Sequence, residues 1–288
     1  MTMPPIRYRL AAAALCGALA CAGAYALPAV GARMGEQVVA VPANIGGVAM
    51  TLQTTIYKPP GDGPFPVLFM NHGKAGGDAH LQPRATFPVI SREFVKRGYA
   101  VVIPMRAGFA GSGGTYVNSH CDAKNNGEQQ ANSLFFAMEY VMKQPWADQD
   151  HVIIAGQSHG GLTAIAAGGH KIAGVRGIIN FAGGVNSRSN CDWQTALVDA
   201  FKAYGATSAI PSLWFYGAND SHFGPKLAAD MYAAYTTAGG KAQLVAYGSF
   251  KRDAHAMSSS PDGVAVWWPE TERFLQSVGM PTEIKTKD

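Results

Sequence analysis

The 288-residue chain predicts an α/β protein, a doubly wound, mostly parallel sheet of the eight-stranded type flanked by helices. Three observations lead there. Short continuous apolar runs recur along the chain, the pattern of parallel strands buried on both faces. Segments of helical length separate them. The 34 glycines suit a fold with many tight strand-to-helix turns. Hydrophobic residues make up 48% and charged residues 15%, the balance of a packed core rather than of a disordered chain.

The chain opens on a basic stretch with Arg7 and Arg9, then an apolar run over 10–22. Small residues follow at Ala24 and Ala26. This pattern reads as a signal peptide cleaved after Ala26. The apolar run is short and Ala/Gly-diluted for a retained membrane anchor. The expected product is an exported protein, periplasmic or secreted, with residues 27–288 as one catalytic domain and no membrane insertion. Two of the four net positive charges leave with Arg7 and Arg9. The remainder is too small for a nucleic-acid footprint. Cys16 and Cys21 leave too, and Cys121 and Cys191 remain as an even pair. In an oxidising compartment they read as one disulfide, tying the loop after the fourth core strand to the loop after the sixth. Two unpaired thiols are the alternative. Closing a loop of about 70 residues would stabilise by roughly 4 kcal/mol.

Residues 50–57 alternate apolar and polar, which predicts a half-exposed antiparallel strand at one edge of the sheet. A Pro/Gly turn follows over 59–64. Buried strands are expected at 67–70, 100–103, 152–155, 178–181, 213–216 and 244–247. Helices are expected at 85–97, 128–143, 161–170, 225–237 and 264–277. Ligands in such sheets bind beyond the carboxyl ends of the strands. The segments to search are therefore 71–78, 104–115, 157–161, 182–186, 218–223 and 249–256.

One of them carries Gly156-Gln157-Ser158-His159-Gly160, a G-x-S-x-G pattern between an apolar strand and an Ala-rich helix. That context lifts a serine hydroxyl above a sheet on a strained turn. A serine hydroxyl is a poor nucleophile until a base takes its proton and a third group orients that base. In this chain order the acid precedes the histidine. His255 follows the last core strand and is the candidate base, with His222 as its rival. Asp220, in Gly217-Ala218-Asn219-Asp220, is the candidate acid, with Asp253 as its rival. An Asx turn or a helix cap is the structural alternative for Asp220. The backbone N–H groups of His159 and Lys74 are the expected oxyanion donors. Gly73 and Ala75 could substitute for Lys74 in the glycine-rich run 71–77. Phe109, Tyr116, Trp193 and Phe223 lie near these loops and could line a substrate pocket.

His72-Gly73-Lys74, Gly156-Gln157-Ser158-His159-Gly160-Gly161, Gly217-Ala218-Asn219-Asp220 and Asp253-Ala254-His255 together resemble the α/β-hydrolase superfamily. The likeness is greatest to its dienelactone-hydrolase-like branch and to prolyl-oligopeptidase-type catalytic domains. The Gly-rich stretch from Arg106 to Gly114 is similar to the loop those proteins carry after the fourth strand. The resemblance covers residues 48–278. It implies hydrolysis through an acyl-enzyme, with no metal and no cofactor. Dienelactone hydrolases use a cysteine nucleophile where this chain has Ser158. The chain has no room for the propeller domain of prolyl oligopeptidases. A small-molecule carboxylic ester is the expected substrate. An acyltransferase or a peptidase with the same three residues, and a non-catalytic binding protein on this scaffold, are the competing readings.

Overall fold

A computed structural model describes residues 34–187 and 189–286. The expected signal peptide lies outside the described residues. Eight strands form one sheet in the order β1-β2-β4-β3-β5-β6-β7-β8. They are β1 (Gln37–Ile45), β2 (Val48–Tyr57), β3 (Phe65–Asn71), β4 (Ala100–Pro104), β5 (Ala147–Gln157), β6 (Val175–Phe181), β7 (Ser212–Tyr216) and β8 (Ala242–Ala246). The expected antiparallel edge is present. β1 and β2 form a hairpin through Gly46 and Gly47, and β2 runs antiparallel to β4. Every other pairing is parallel.

Among the described residues, six α-helices cover the two faces: α1 (Pro88–Val95), α2 (Ala123–Val141), α3 (His159–Ala167), α4 (Trp193–Thr207), α5 (Pro225–Thr237) and α6 (Val264–Ser277). The central strands are buried on both sides because alternate residues enter two separate cores. Val67, Phe69, Ile154 and Trp214 pack under α2 to α5. Leu68, Met70, Ile153 and Phe215 pack under α1 and α6, against Phe94 and Trp267. This two-sided burial is what the continuous apolar runs encode.

Boundaries moved where capping chemistry decided them. α2 begins five residues before its expected start, because Asp122 accepts the Asn125 N–H at 2.9 Å and caps the helix. α1 begins at Pro88, a residue suited to the first helical turn. α4 was not among the expected helices. Asp192 caps it through the Thr195 N–H at 3.1 Å. Its buried residues, among them Leu197, Phe201 and Tyr204, form one apolar stripe. Both caps directly follow a cysteine. Cys121 and Cys191 form a disulfide with Cα atoms 6.4 Å apart, so the bridge joins the starts of α2 and α4 across the carboxyl edge of the sheet. Among the described residues no helix is long and apolar enough to cross a membrane.

Candidate active site

Strand β5 ends at Gln157 and α3 begins at His159, so the chain must reverse at Ser158 alone. Ser158 takes φ 56° and ψ −123°, a backbone conformation that L residues avoid and that clusters at functional sites. The turn closes because its flanks lack side chains. A Cβ at Gly156 would stand 1.9 Å from the Gly160 carbonyl oxygen, and one at Gly160 would stand 2.0 Å from that of Asn71. The Ser158 N–H donates to the Phe181 carbonyl at 2.9 Å, and the Ser158 carbonyl accepts the N–H groups of Gly161, Leu162 and Gly184. The N–H of His159 opens α3, where the first N–H groups have no intrahelical partner.

Ser158 and His255 line the same cleft, whose volume is about 1140 Å³. Each of the six segments beyond the strands' carboxyl ends contributes to its walls: 72–77, 105, 157–159, 184–186, 222–223 and 255. His255 sits in a short 3-10 helix, Ala254–Ser259. Its Nδ1 lies 3.1 Å and 3.0 Å from the two carboxylate oxygens of Asp220. The Asp220 side chain is wholly buried and that of His255 is 13% exposed. Oδ1 of Asp220 also accepts the N–H groups of His222 and Phe223, at 2.8 and 2.9 Å. Asp220 is therefore an Asx-turn residue and the partner of the histidine at once. The carboxylate can only accept, so Nδ1 of His255 carries the proton and Nε2 is the basic nitrogen.

The two rivals have other partners. Asp253 accepts the His255 N–H at 2.9 Å, the Ser221 N–H at 3.1 Å and the Ser221 hydroxyl at 2.6 Å. It joins the loops that carry Asp220 and His255 through backbone and hydroxyl groups rather than through the imidazole ring. Asn219 adds to that junction by accepting the Phe250 N–H at 2.8 Å and donating to the Lys251 carbonyl at 3.1 Å. The His222 ring packs 4.4 Å from the His255 ring, with Nδ1 3.3 Å from Nδ2 of Asn186.

Lys74 lies on the loop after β3, beside the serine. A Cβ at the preceding Gly73 would stand 3.4 Å from Cβ of Ser158. The Lys74 ammonium lies 5.2 Å from the centre of the Tyr116 ring. Burial and then the nearby Arg106 charge push its pKa down. Tyr116, Trp193 and Phe223 line the cleft, and Phe223 also packs 5.7 Å from the His255 ring. Phe109 does not line the cleft. It is fully buried and packs edge-on against His72 at 4.7 Å, because the turn 108–113 folds it inward beneath the site.

Behind the serine lies a buried polar cluster that no motif in the sequence announces. Arg106 is fully buried and donates from Nε to Gln130 at 3.1 Å, from Nη1 to the His72 carbonyl, and from Nη2 to the Gly73 carbonyl at 3.4 Å. Nη2 also lies 3.2 Å from Nδ1 of His159, whose Nε2 lies 2.5 Å from Oδ1 of Asn126. A guanidinium cannot accept, so His159 carries its proton on Nε2. Nε2 of His72 accepts the Arg106 backbone N–H at 3.1 Å, and its Nδ1 donates to the Gly73 carbonyl at 2.7 Å. Burial, then the Arg106 charge, holds both imidazoles well below the usual histidine range. The signal in the sequence was an arginine three residues beyond the apolar run 100–103. The part of the cleft wall lined by Arg84, Ala85, Phe87, Val89 and Ile90 carried no such signal.

A family model described as X-Pro dipeptidyl-peptidase (S15 family) matches residues 46–207. No curated protein gave a significant match. Among solved structures, an acylaminoacyl peptidase from Pyrococcus horikoshii superposes with a TM-score of 0.63 at 15% identity, over 88% of this chain and 43% of that one. An esterase from Pyrococcus furiosus gives 0.61 at 13% identity, over 86% and 96%. A candidate dienelactone hydrolase from Klebsiella pneumoniae gives 0.56 at 14% identity, over 83% and 99%. These likenesses show a shared fold. With more than half of its length matched by one family model, the chain belongs to the S15 peptidase family, and its fold is that of an α/β-hydrolase.

Proposed function

We propose that the protein is an exported serine hydrolase that cleaves carboxylic esters through an acyl-enzyme. Ser158 is the nucleophile, His255 the base and Asp220 the orienting acid. The observation that carries this reading is a strained serine and a carboxylate-held imidazole sharing one cleft. Nε2 of His255 takes the hydroxyl proton as Oγ of Ser158 attacks the ester carbonyl. Asp220 stays ionised and stabilises the imidazolium that forms. The N–H groups of Lys74 and His159 receive the developing oxyanion. The imidazolium then returns its proton to the departing alcohol, and water repeats the sequence on the acyl-enzyme. Residues 27–288 are the mature chain, acting as one catalytic domain, and the Cys121–Cys191 bridge accords with an oxidising compartment.

A peptidase reading has support from the family description. A substrate with a free N-terminus brings an ammonium group into the cleft, and a carboxylate is the partner that best offsets a buried cation. Among the described residues lining the cleft there is no Asp or Glu. Esters and blocked acyl donors therefore fit the cleft better than free N-terminal peptides do.

The deciding experiment offers short p-nitrophenyl esters and an Xaa-Pro-p-nitroanilide to the purified protein, with a fluorophosphonate label mapped by peptide mass. Ester turnover and an adduct on Ser158 are expected. Folded protein with no adduct and no ester turnover would refute the assignment. Anilide turnover exceeding ester turnover would replace it with the peptidase reading.

A further inference from the structure

Two peptide groups supply the proposed oxyanion donors, and both have loaded carbonyls. The His159 N–H shares its amide plane with the Ser158 carbonyl, which accepts three backbone N–H groups at 2.8 to 3.2 Å. The Lys74 N–H shares its plane with the Gly73 carbonyl, which accepts Nδ1–H of His72 at 2.7 Å and Nη2–H of Arg106 at 3.4 Å. Hydrogen bonds to a carbonyl polarise the amide and make its N–H a stronger donor, and a charged donor does so most.

Arg106 is unusual because no counter-ion accompanies it among the described residues. Among the described residues it takes part in no salt bridge. Its partners are two carbonyls, the Gln130 amide, a neutral imidazole and the face of Phe109, 5.0 Å away. Burial pushes its pKa down to about 9, so it remains a cation at neutral pH. A buried charge without a carboxylate is costly to fold around, and a neutral side chain could fill the space. An anion forming nearby would supply the missing counter-charge, and in a low-dielectric interior that attraction is strong.

We propose that Arg106 is a positioning residue for the oxyanion hole: its guanidinium fork holds the Gly73–Lys74 amide and the His159 side chain together, polarises the first, and is balanced electrostatically only when the acyl oxygen becomes an anion. This inference rests on the serine-hydrolase reading. It makes Arg106 a contributor to turnover rather than to substrate binding, because the anion exists only in the transition state and the tetrahedral intermediate.

The test uses Arg106→Lys and Arg106→Gln in the full-length protein, with near-UV circular dichroism to verify folding. Lysine keeps the charge, but one nitrogen cannot serve His72, Gly73, Gln130 and His159 together. A donor weakened rather than removed predicts a fall in kcat of about 10-fold for Arg106→Lys and about 100-fold for Arg106→Gln, with KM within roughly threefold of wild type. The acyl-enzyme carbonyl stretch should move to higher wavenumber in both variants, a change that loosened packing elsewhere would not produce. Folded Arg106→Lys protein with wild-type kcat and an unshifted stretch would overturn the inference, as would a loss confined to KM. Should Arg106→Gln not fold, the lysine variant decides by the same readouts. A wild-type protein that forms no acyl-enzyme would instead sink the hydrolase reading, and this inference with it.

Discussion

At the scale of single residues, the site depends on which atom of each side chain is already committed. Asp220 offers Oδ1 to two backbone N–H groups and both oxygens to His255. In Asp220→Asn the amide oxygen can still accept the backbone N–H groups, while the amide nitrogen confronts Nδ1 of His255 and forces the opposite tautomer. Expected is a kcat loss of roughly 10⁴-fold with little change in thermal midpoint; an active asparagine variant would contradict the role assigned to Asp220. Ser158→Ala and His255→Ala should each cost turnover at least as much, with their double variant no worse than either single, because the two act as a unit. His72 and His159 carry a different prediction. Each imidazole is held neutral in the fold, with its pKa well below the ordinary 6.5. Below about pH 6.5 the unfolded chain therefore binds more protons than the native one, and stability falls with pH. Once the unfolded form is fully protonated, each such imidazole contributes a slope of about 1.4 kcal/mol per pH unit. Urea melts from pH 7 to pH 5 should show a falling midpoint; a flat profile would mean that these rings are not held neutral.

At the scale of elements, the decisive feature is the turn from β5 into α3, where a side chain is sterically impossible at two positions. Gly160→Ala would press a methyl group against the Asn71 carbonyl at 2.0 Å, a backbone atom with little room to retreat. The substitution should destabilise by roughly 1–3 kcal/mol, as overpacking does, and should abolish turnover by moving Ser158. Retained activity with unchanged stability would mean that the turn is looser than its geometry indicates. The second element-level device is the disulfide. Cys121 and Cys191 stand just before the caps of α2 and α4, and the adjoining residues His120, Ser189 and Trp193 line the cleft. Cys121→Ser should lower stability by about 2–5 kcal/mol and should raise KM more than it lowers kcat, since it frees a cleft wall and leaves the serine turn intact. A change confined to kcat would show that the bridge acts on the chemistry instead.

At the scale of the whole molecule, the sheet collects loops from opposite ends of the sequence at one edge. The loops that carry Asp220 and His255, after β7 and β8, are bound to each other through Asn219, Ser221 and Asp253. The Ser158 turn is joined to them by Gln157, whose Nε2 donates to the His255 carbonyl at 3.2 Å. The constellation is thus held by hydrogen bonds between loops as well as by the two cores beneath it. The proposed export of the chain belongs to this scale. N-terminal sequencing of the exported protein should begin at Leu27, and mass analysis without reduction should find Cys121 linked to Cys191. An intact leader on the exported protein, or free thiols, would refute one or the other.

Local chemistry explains what could be read without coordinates. Buried parallel strands must be apolar throughout, so β3 to β7 were visible as runs. A one-residue reversal must be flanked by glycines, so Ser158 was visible as a motif. Both loops follow the last strands of the sheet, so the pairing of Asp220 with His255 was visible by position. The tertiary structure alone decided how competing partners were shared: Asp253 to Ser221 rather than to the His255 ring, Phe109 to the interior rather than to the cleft, and residues 84–90 to the cleft wall. It alone showed Arg106, buried and without a carboxylate partner among the described residues, reaching across to His72, Gly73 and His159. Strand and turn patterns follow from the geometry of neighbouring residues. Which side chain satisfies which buried donor depends on distances between segments far apart in the chain, and only folding sets those.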